Sequence, residues 1–147
     1  MSANLYQAPQ ARVGDIAAQE KPSTFRIAVV LMWASLALGM MYGAWDGLGE
    51  LSAAGEETFG IYIVMLVVMA LVVSIPIIFV TLGHNWARWL WLLFFAGGWT
   101  WVFWDWEQSF QTTTDVLIEL SFLIVDLTIV RLIFFGSGAA WFKRARS

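Results

Sequence analysis

The sequence predicts an all-α integral membrane protein, a four-helix antiparallel bundle whose four spans cross the membrane and whose termini both lie in the cytoplasm. Three observations support this prediction. The chain of 147 residues is 60% hydrophobic and only 13% charged, whereas soluble domains carry about 25% charged residues. Four long apolar stretches follow one another along the chain, and nearly all lysine and arginine residues flank them on one side.

The composition also excludes several classes of protein. A mean hydropathy of +0.72 is too high for a disordered chain, a basic nucleic-acid binder or most soluble enzymes. The sequence contains no cysteine and a single histidine, so it offers no disulfide, no cysteine-ligated metal site and no metal centre built on two imidazoles. We therefore predict no catalytic site, no metal site, no cofactor and no nucleic-acid partner.

The chain divides into a polar beginning and an apolar remainder. Residues 1–24 lack a basic segment followed directly by an apolar core, so they do not form a cleavable signal peptide, and we expect a flexible cytoplasmic tail. Residues 25–147 form the predicted transmembrane domain, with spans at about 25–45, 59–82, 86–104 and 116–135. Each stretch has about 20 residues, the length that a helix needs to cross a hydrocarbon core. Short connections make neighbouring spans antiparallel.

The positions of the cationic residues predict the orientation. Lysine and arginine occur in the tail, at the starts of the first and third spans and at the C-terminus, while the first and third connections carry only acidic charges. The one exception is Arg131, which lies inside the fourth span. Cytoplasmic loops are enriched in lysine and arginine, so both termini are predicted to be cytoplasmic.

Tryptophans cluster at both ends of the third span, as expected at headgroup layers; they are Trp86, Trp89 and Trp91 at one end and Trp99, Trp101, Trp104 and Trp106 at the other.

Small residues recur every four positions in the first span. They are Ser35, Gly39, Gly43 and Gly47, and this spacing puts them on one helical face. Lipid provides no hydrophobic drive for helix association, so such a stripe predicts close packing against another helix. That helix belongs either to the same chain or to a partner.

The fourth span contains the intramembrane ionisable residues Glu119, Asp126 and Arg131. A charge near the middle of a span costs about 2.5–3.5 kcal/mol on insertion scales. Glu119 and Arg131 lie near opposite ends of the span, whereas Asp126 lies near its middle. Glu119 and Asp126 are seven residues apart, so they share a face that we expect to point into the bundle.

An unpaired charge on Asp126 would therefore be costly within the membrane. It is expected either to be protonated or to accept hydrogen bonds from hydroxyl groups of other spans. The candidate donors are Ser35, Ser74 and Thr100. Such a residue either serves function, in a proton relay, an ion pathway or a contact to a partner, or fixes helix register as a satisfied polar group.

Three short segments of the sequence resemble segments of known proteins. They are the tail from Asn4 to Asp15, the turn Gly83-His84-Asn85-Trp86-Ala87-Arg88, and the close Trp141-Phe142-Lys143. Together they resemble a broad set of small, uncharacterised four-span inner-membrane proteins of proteobacteria, which share an Asn-Pro-Tyr-like tail, a Gly-basic-Asn-Trp-Ala-Arg turn and a terminal Trp-Phe-basic anchor. Leu5 and His84 depart from that pattern. The resemblance implies a multi-pass protein of the bacterial inner membrane and implies no activity.

Two classes of function follow from these features. The first is a non-enzymatic inner-membrane protein that binds or modulates another membrane protein or copies of itself, with immunity against a membrane-acting toxin as one version. The alternative is a small transporter or channel subunit that uses Asp126 and Glu119 within the membrane. A lipid-acting membrane enzyme is a third hypothesis, which is less favoured because every charge outside the fourth span lies at or beyond the edge of a span.

Overall fold

The computed structural model describes residues 21–51 and 56–144 and is helical throughout. The helices in chain order are α1 (Ser23–Leu51), α2 (Glu56–Thr81), α3 (Asn85–Trp104), α4 (Trp106–Ser109), α5 (Thr113–Phe134) and α6 (Gly136–Arg144). Within these two ranges there is no strand, so the all-α fold class is confirmed for them. Most of the predicted tail, residues 1–20, lies outside the described residues, and the last four positions of that prediction contain the start of α1.

Among the described residues, two helices are long and apolar enough to cross a membrane. The qualifying segments are Ser23–Trp45 in α1 and Thr58–Thr81 in α2, with 23 and 24 residues. Helices α3 and α5 coincide with the other two predicted spans but are less uniformly apolar. Tryptophan recurs along α3, and α5 contains Asp115 and Arg131 besides its two inner carboxylates. The four-span arrangement and the orientation of the termini therefore stay predictions.

The helices pack as a bundle that is tight in one half and loose in the other. Helix α1 lies along α2 and α5, α3 lies along α2, and α6 folds back against α5 and α1. The buried hydrophobic side chains of the described residues all lie near the start of α1 and α3, near the end of α2 and α5, or in α6; they are Phe25, Ala28, Met32, Ile77, Val80, Ala87, Trp91, Ile129, Ile133 and Phe142. We call this region the packed half, and the region beyond Ser35 and Asp126 the open half.

Two glycines with positive φ shape the end of the packed half. Gly83, in the turn between α2 and α3, has φ +89°, and a side chain there would also collide with the indole of Trp141. Gly136 has φ +67° and separates α5 from α6. Glycine adopts this left-handed backbone at no steric cost, so both turns can be short. Helix α6 thereby returns beneath the bundle and buries Phe142.

Contacts across this end bring distant parts of the chain together. The Lys21 Nζ donates a hydrogen bond to the Thr81 carbonyl oxygen at 2.8 Å, and the Thr24 and Ser137 hydroxyls lie 2.7 Å apart. The Phe25 ring contacts those of Trp141 and Phe142. The start of α1, the end of α2 and helix α6 therefore share one end of the bundle.

Helix α5 begins three residues before the predicted span because of a capping box. The Thr112 hydroxyl accepts a hydrogen bond from the Asp115 backbone N–H, and the Asp115 carboxylate accepts one from the Thr112 backbone N–H. This reciprocal arrangement satisfies donors that a helix start otherwise leaves unpaired. Neither this start nor the short helices α4 and α6 belong to the predicted spans.

Candidate functional site

Asp126 joins three helices through its carboxylate. The Ser35 hydroxyl of α1 donates a hydrogen bond to Asp126 Oδ1 at 3.2 Å, and the Trp99 indole N–H of α3 donates one to Asp126 Oδ2 at 3.3 Å. Both donors are neutral. The site therefore lies where α5 meets α1 and α3, at the boundary between the packed half and the open half.

Of the three hydroxyl groups expected to donate a hydrogen bond to Asp126, one does so. Ser35 makes that bond, whereas the hydroxyls of Ser74 and Thr100 donate to carbonyl oxygens one turn back in their own helices, at Ala70 and Ala96. Serine and threonine make such bonds readily inside helices. Sequence spacing does not reveal which hydroxyl turns outward to another helix.

Trp99 contacts Asp126, although its position near the end of α3 predicts a place in the headgroup layer. Its side chain is half-buried, and its ring centre lies 6.5 Å from that of Phe95. Phe95 in turn stacks on the buried Trp91 at 5.9 Å. The four-residue spacing of Trp91, Phe95 and Trp99 puts them on one helical face, and the burial of Trp91 on this face shows that the face turns toward the bundle.

Asp126 lines a cavity that has two adjoining lobes. The lower lobe, of about 510 Å³, extends toward the packed half and reaches Ile77 and Trp91. The upper lobe, of about 340 Å³, extends into the open half and reaches Tyr42 and Glu119. Side chains and glycines from α1, α3 and α5 line both lobes; they are Ser35, Gly39, Phe94, Phe95, Gly98 and Asp126. The cavity exists because α1 and α3 do not pack directly against each other here.

The small-residue stripe of α1 divides into two pairs with different surroundings. A Cβ added at Gly47 would collide with the Tyr62 ring of α2, and one added at Gly43 would lie 3.7 Å from Leu66. The Tyr62 hydroxyl also donates a hydrogen bond to the Gly43 carbonyl oxygen. These two glycines therefore contact α2 of the same chain.

The other half of the stripe lines the cavity. Ser35 bonds to Asp126, and a Cβ added at Gly39 would meet nothing within 4 Å. The same holds for Gly97 and Gly98 of α3 across the cavity. These three glycines leave open space instead of allowing close helix contact.

Two of the three ionisable candidates of the fourth span come together. Glu119 and Asp126 both line the upper lobe, and Glu119 also lines a smaller cavity of about 180 Å³ beside Trp106 and Phe110. Arg131 lies on the exposed surface of α5 and is not among the described residues that line either lobe. The predicted shared face of Glu119 and Asp126 thus points into one cavity, and Arg131 lies apart from it.

A polar contact ties α1 to the start of α5 above the upper lobe. The Tyr42 hydroxyl donates to Asp115 Oδ1 at 3.4 Å, while Asp115 Oδ2 belongs to the capping box with Thr112. One carboxylate therefore serves both the cap of α5 and the contact between helices. Tyr42 lines the upper lobe together with Glu119.

The site combines a carboxylate with an apolar, partly aromatic enclosure. Such an arrangement suits a proton or a cationic group better than an anion or a nucleophilic reaction. Among the described residues, no group of three or more histidine, aspartate or glutamate side chains is placed to hold a metal ion.

No protein-family model, curated protein or solved structure matches the chain.

Proposed function

We propose that the chain is a four-span protein of the bacterial inner membrane, with both termini in the cytoplasm, that binds or modulates another membrane component without catalysing a reaction. That component is a second membrane protein or another copy of this chain. One observation carries the proposal. The long apolar segments of α1 and α2 remain exposed, since only 11% and 17% of the residues in an 18-residue stretch of each are buried inside the structure.

The exposure of α2 argues against a soluble protein. Ile61, Val64 and Leu71 are each more than 60% exposed on this helix. A large aliphatic side chain gains about 1.5–3 kcal/mol when it leaves water, so a core helix of a soluble domain buries such residues. Lipid or a partner helix would cover this surface at no such cost.

The geometry of α3 and α5 supports their assignment as the remaining spans. Both lie in the bundle with α1 and α2, and their 20 and 22 residues give lengths of about 30 and 33 Å at 1.5 Å per residue. The carboxylates of Asp126 and Glu119 face a cavity, which lowers the cost of placing α5 in lipid.

The distribution of charge and tryptophan supports the orientation. Lys21 and Arg88 lie at the end that contains α6, the end predicted to be cytoplasmic. Trp89 at one end of α3 and Trp101 and Trp104 at the other are exposed, as residues of a headgroup belt would be. The resemblance to four-span inner-membrane proteins of proteobacteria agrees with this location.

Membrane insertion and orientation can be tested in one series. The chain contains no cysteine, so a single cysteine introduced by Gln111→Cys or by Ser137→Cys is a unique label. In intact cells a membrane-impermeant maleimide should label Gln111→Cys, between α4 and α5, and should label Ser137→Cys, in α6, only after the membrane is opened. The reverse pattern would overturn the orientation. Recovery of the protein in the soluble fraction without detergent would overturn membrane insertion.

Partner binding can be tested by photo-crosslinking from the exposed face of α2. A photoreactive residue at Val64 or Leu71 should give a discrete adduct with one membrane protein or with a second copy of the chain. The buried position Ile77 of the same helix is the control and should give no intermolecular adduct. If the two exposed positions yield lipid adducts alone, the binding role is wrong.

The cavity favours a second candidate, a small transporter or channel subunit. Asp126 and Glu119 would provide the steps within the membrane, since both line the upper lobe. In vesicles containing the purified protein, this role predicts proton or ion flux that Asp126→Asn abolishes. Glu107→Gln, on the exposed side of α4, is the control and should leave the flux unchanged. An unmutated protein without flux would eliminate this candidate.

A further inference from the structure

We infer that the two-lobed cavity between α1 and α3 binds a lipophilic, monovalent organic cation, with Asp126 as the counter-ion. This inference rests on the proposal that the helices cross a membrane, because the surrounding lipid then supplies both the low dielectric and the ligand. It applies to either functional candidate, since it concerns binding and not transport.

The unused acceptor capacity of Asp126 favours a cationic ligand. Each carboxylate oxygen of Asp126 accepts one hydrogen bond from a neutral donor, Ser35 or Trp99. A carboxylate offers about four acceptor positions, so this leaves further capacity in a residue that lines both lobes. A charge removed from water is costly unless an opposite charge compensates it. A cation in either lobe would supply that compensation.

The walls of the cavity favour an organic cation over a metal ion. Phe94 and Phe95 line both lobes, and Trp91 and Trp99 each line one. Aromatic faces attract cations, most strongly where water is excluded. Among the side chains that line the lower lobe, only Ser35 and Asp126 carry oxygen. Calcium needs 6–8 oxygen ligands and magnesium an octahedral set, which the side chains of the lower lobe do not provide.

The opening of the lower lobe favours a ligand that arrives through lipid. Met69 of α2 and Leu93 of α3 line this lobe and are 54% and 67% exposed. They lie near the middle of their helices, so the opening faces the side of the bundle and not its ends. The volume of about 510 Å³ lies in the range of small-molecule sites, about 300–1,000 Å³. A cation that partitions into the membrane fits this route.

The glycines allow the cavity to be filled without disturbing the backbone. A Cβ at Gly39 or Gly98 meets nothing within 4 Å, so Gly39→Leu and Gly98→Leu would place their side chains in the open space. Leucine is also a better helix former than glycine. Gly60 of α2 has equally open surroundings but does not line the cavity, which makes Gly60→Leu the matched control.

The experiment measures binding of tetraphenylphosphonium to the full chain in detergent micelles by equilibrium dialysis. We expect saturable binding with one site per chain, weakened at least about tenfold by Asp126→Asn, which is about 1.4 kcal/mol. Gly39→Leu and Gly98→Leu should weaken binding by at least as much, while Gly60→Leu should retain wild-type affinity. The neutral compound triphenylphosphine oxide should bind far more weakly than the cation.

Three results would overturn the inference. They are the absence of saturable binding to the unmutated protein, equal binding of the neutral compound, and wild-type affinity in both cavity-filling variants. Because the glycine variants keep Asp126, they test the site even if Asp126→Asn does not fold. Membrane insertion is measured separately by extraction and labelling, so a failure of cation binding is distinguishable from a failure of the membrane proposal.

Discussion

The packed half and the open half of the bundle differ in how closely their side chains pack against one another. In the packed half, large side chains such as Phe25, Met32 and Phe142 are fully buried, and the Arg88 guanidinium lies 5.1 Å and 5.2 Å from the ring centres of Phe134 and Phe142. In the open half, the glycines that line the cavity face empty space, and two carboxylates line the same cavity. The closeness of side-chain packing therefore distinguishes the two halves.

This contrast indicates which part of the bundle stabilises the fold. Lipid is as apolar as leucine, so helices in a membrane gain stability from close packing and not from burial alone. Close packing exists where large side chains of four helices interlock around Ile77 and Ile129. The open half contributes less packing, and its residues are therefore free to serve a ligand or a partner.

The largest expected effect is a loss of stability in the packed half. Ile77→Ala removes a fully buried side chain from α2 and should lower the free energy of unfolding by about 2–5 kcal/mol, because a cavity remains among its neighbours. Thermal unfolding in detergent micelles measures the change.

The matched control lies on the same helix. Ile61 is 64% exposed, so Ile61→Ala exchanges contacts with lipid or detergent and should leave the melting temperature nearly unchanged. Equal losses in the two variants would mean that the α2 surface is packed against protein, and the contrast between the halves would be wrong.

A second test sharpens the contrast within the stripe on α1. Gly47→Leu forces a side chain into the Tyr62 ring and should destabilise the protein by about 1–3 kcal/mol. Gly39→Leu, eight residues earlier on the same face, should be tolerated because its surroundings are open. Unfolding of both variants in the same detergent gives the comparison. A larger loss for Gly39→Leu would show that the cavity is closed in the membrane.

Much of the fold could be predicted from the sequence because hydropathy sets the length and position of a helix. The predicted segments 25–45 and 59–82 coincide with α1 and α2 to within a few residues, apart from the extension of α1 to Leu51. The short helices α4 and α6 could not be predicted in this way, because neither is a long apolar stretch. Helix α6 depends on the left-handed Gly136 and on Phe142 docking under the bundle, a contact between distant parts of the chain.

The ionisable residues of the candidate site could be predicted from the sequence, but the side chains that contact them could not. The spacing of Glu119 and Asp126 predicted a shared face, and both line one cavity. The contact of Asp126 with Trp99 depends on how α3 is rotated about its axis, which the count of tryptophans in α3 does not reveal. The stripe on α1 likewise gave the positions of its glycines but not that Gly39 faces a void.

A smaller effect is expected at the start of α5, which closes the open half. Thr112→Ala removes the hydroxyl that caps this helix and should cost about 1 kcal/mol. Thr113→Ala, at the next exposed position, keeps the capping box and is the control. Unfolding in micelles measures the difference between the two. Equal stability would show that lipid or detergent at this end already satisfies the helix start.

The smallest expected effect tests the boundary between the halves. Trp99→Phe removes the indole N–H that donates to Asp126 but keeps a ring beside Phe95 and Phe103. A single side-chain hydrogen bond between membrane helices contributes about 0.6 kcal/mol, so the melting temperature should fall only slightly. Trp101→Phe, on an exposed ring of the same helix, should leave it unchanged. If both changes have the same effect, Trp99 acts as a headgroup anchor and Asp126 gains nothing from α3.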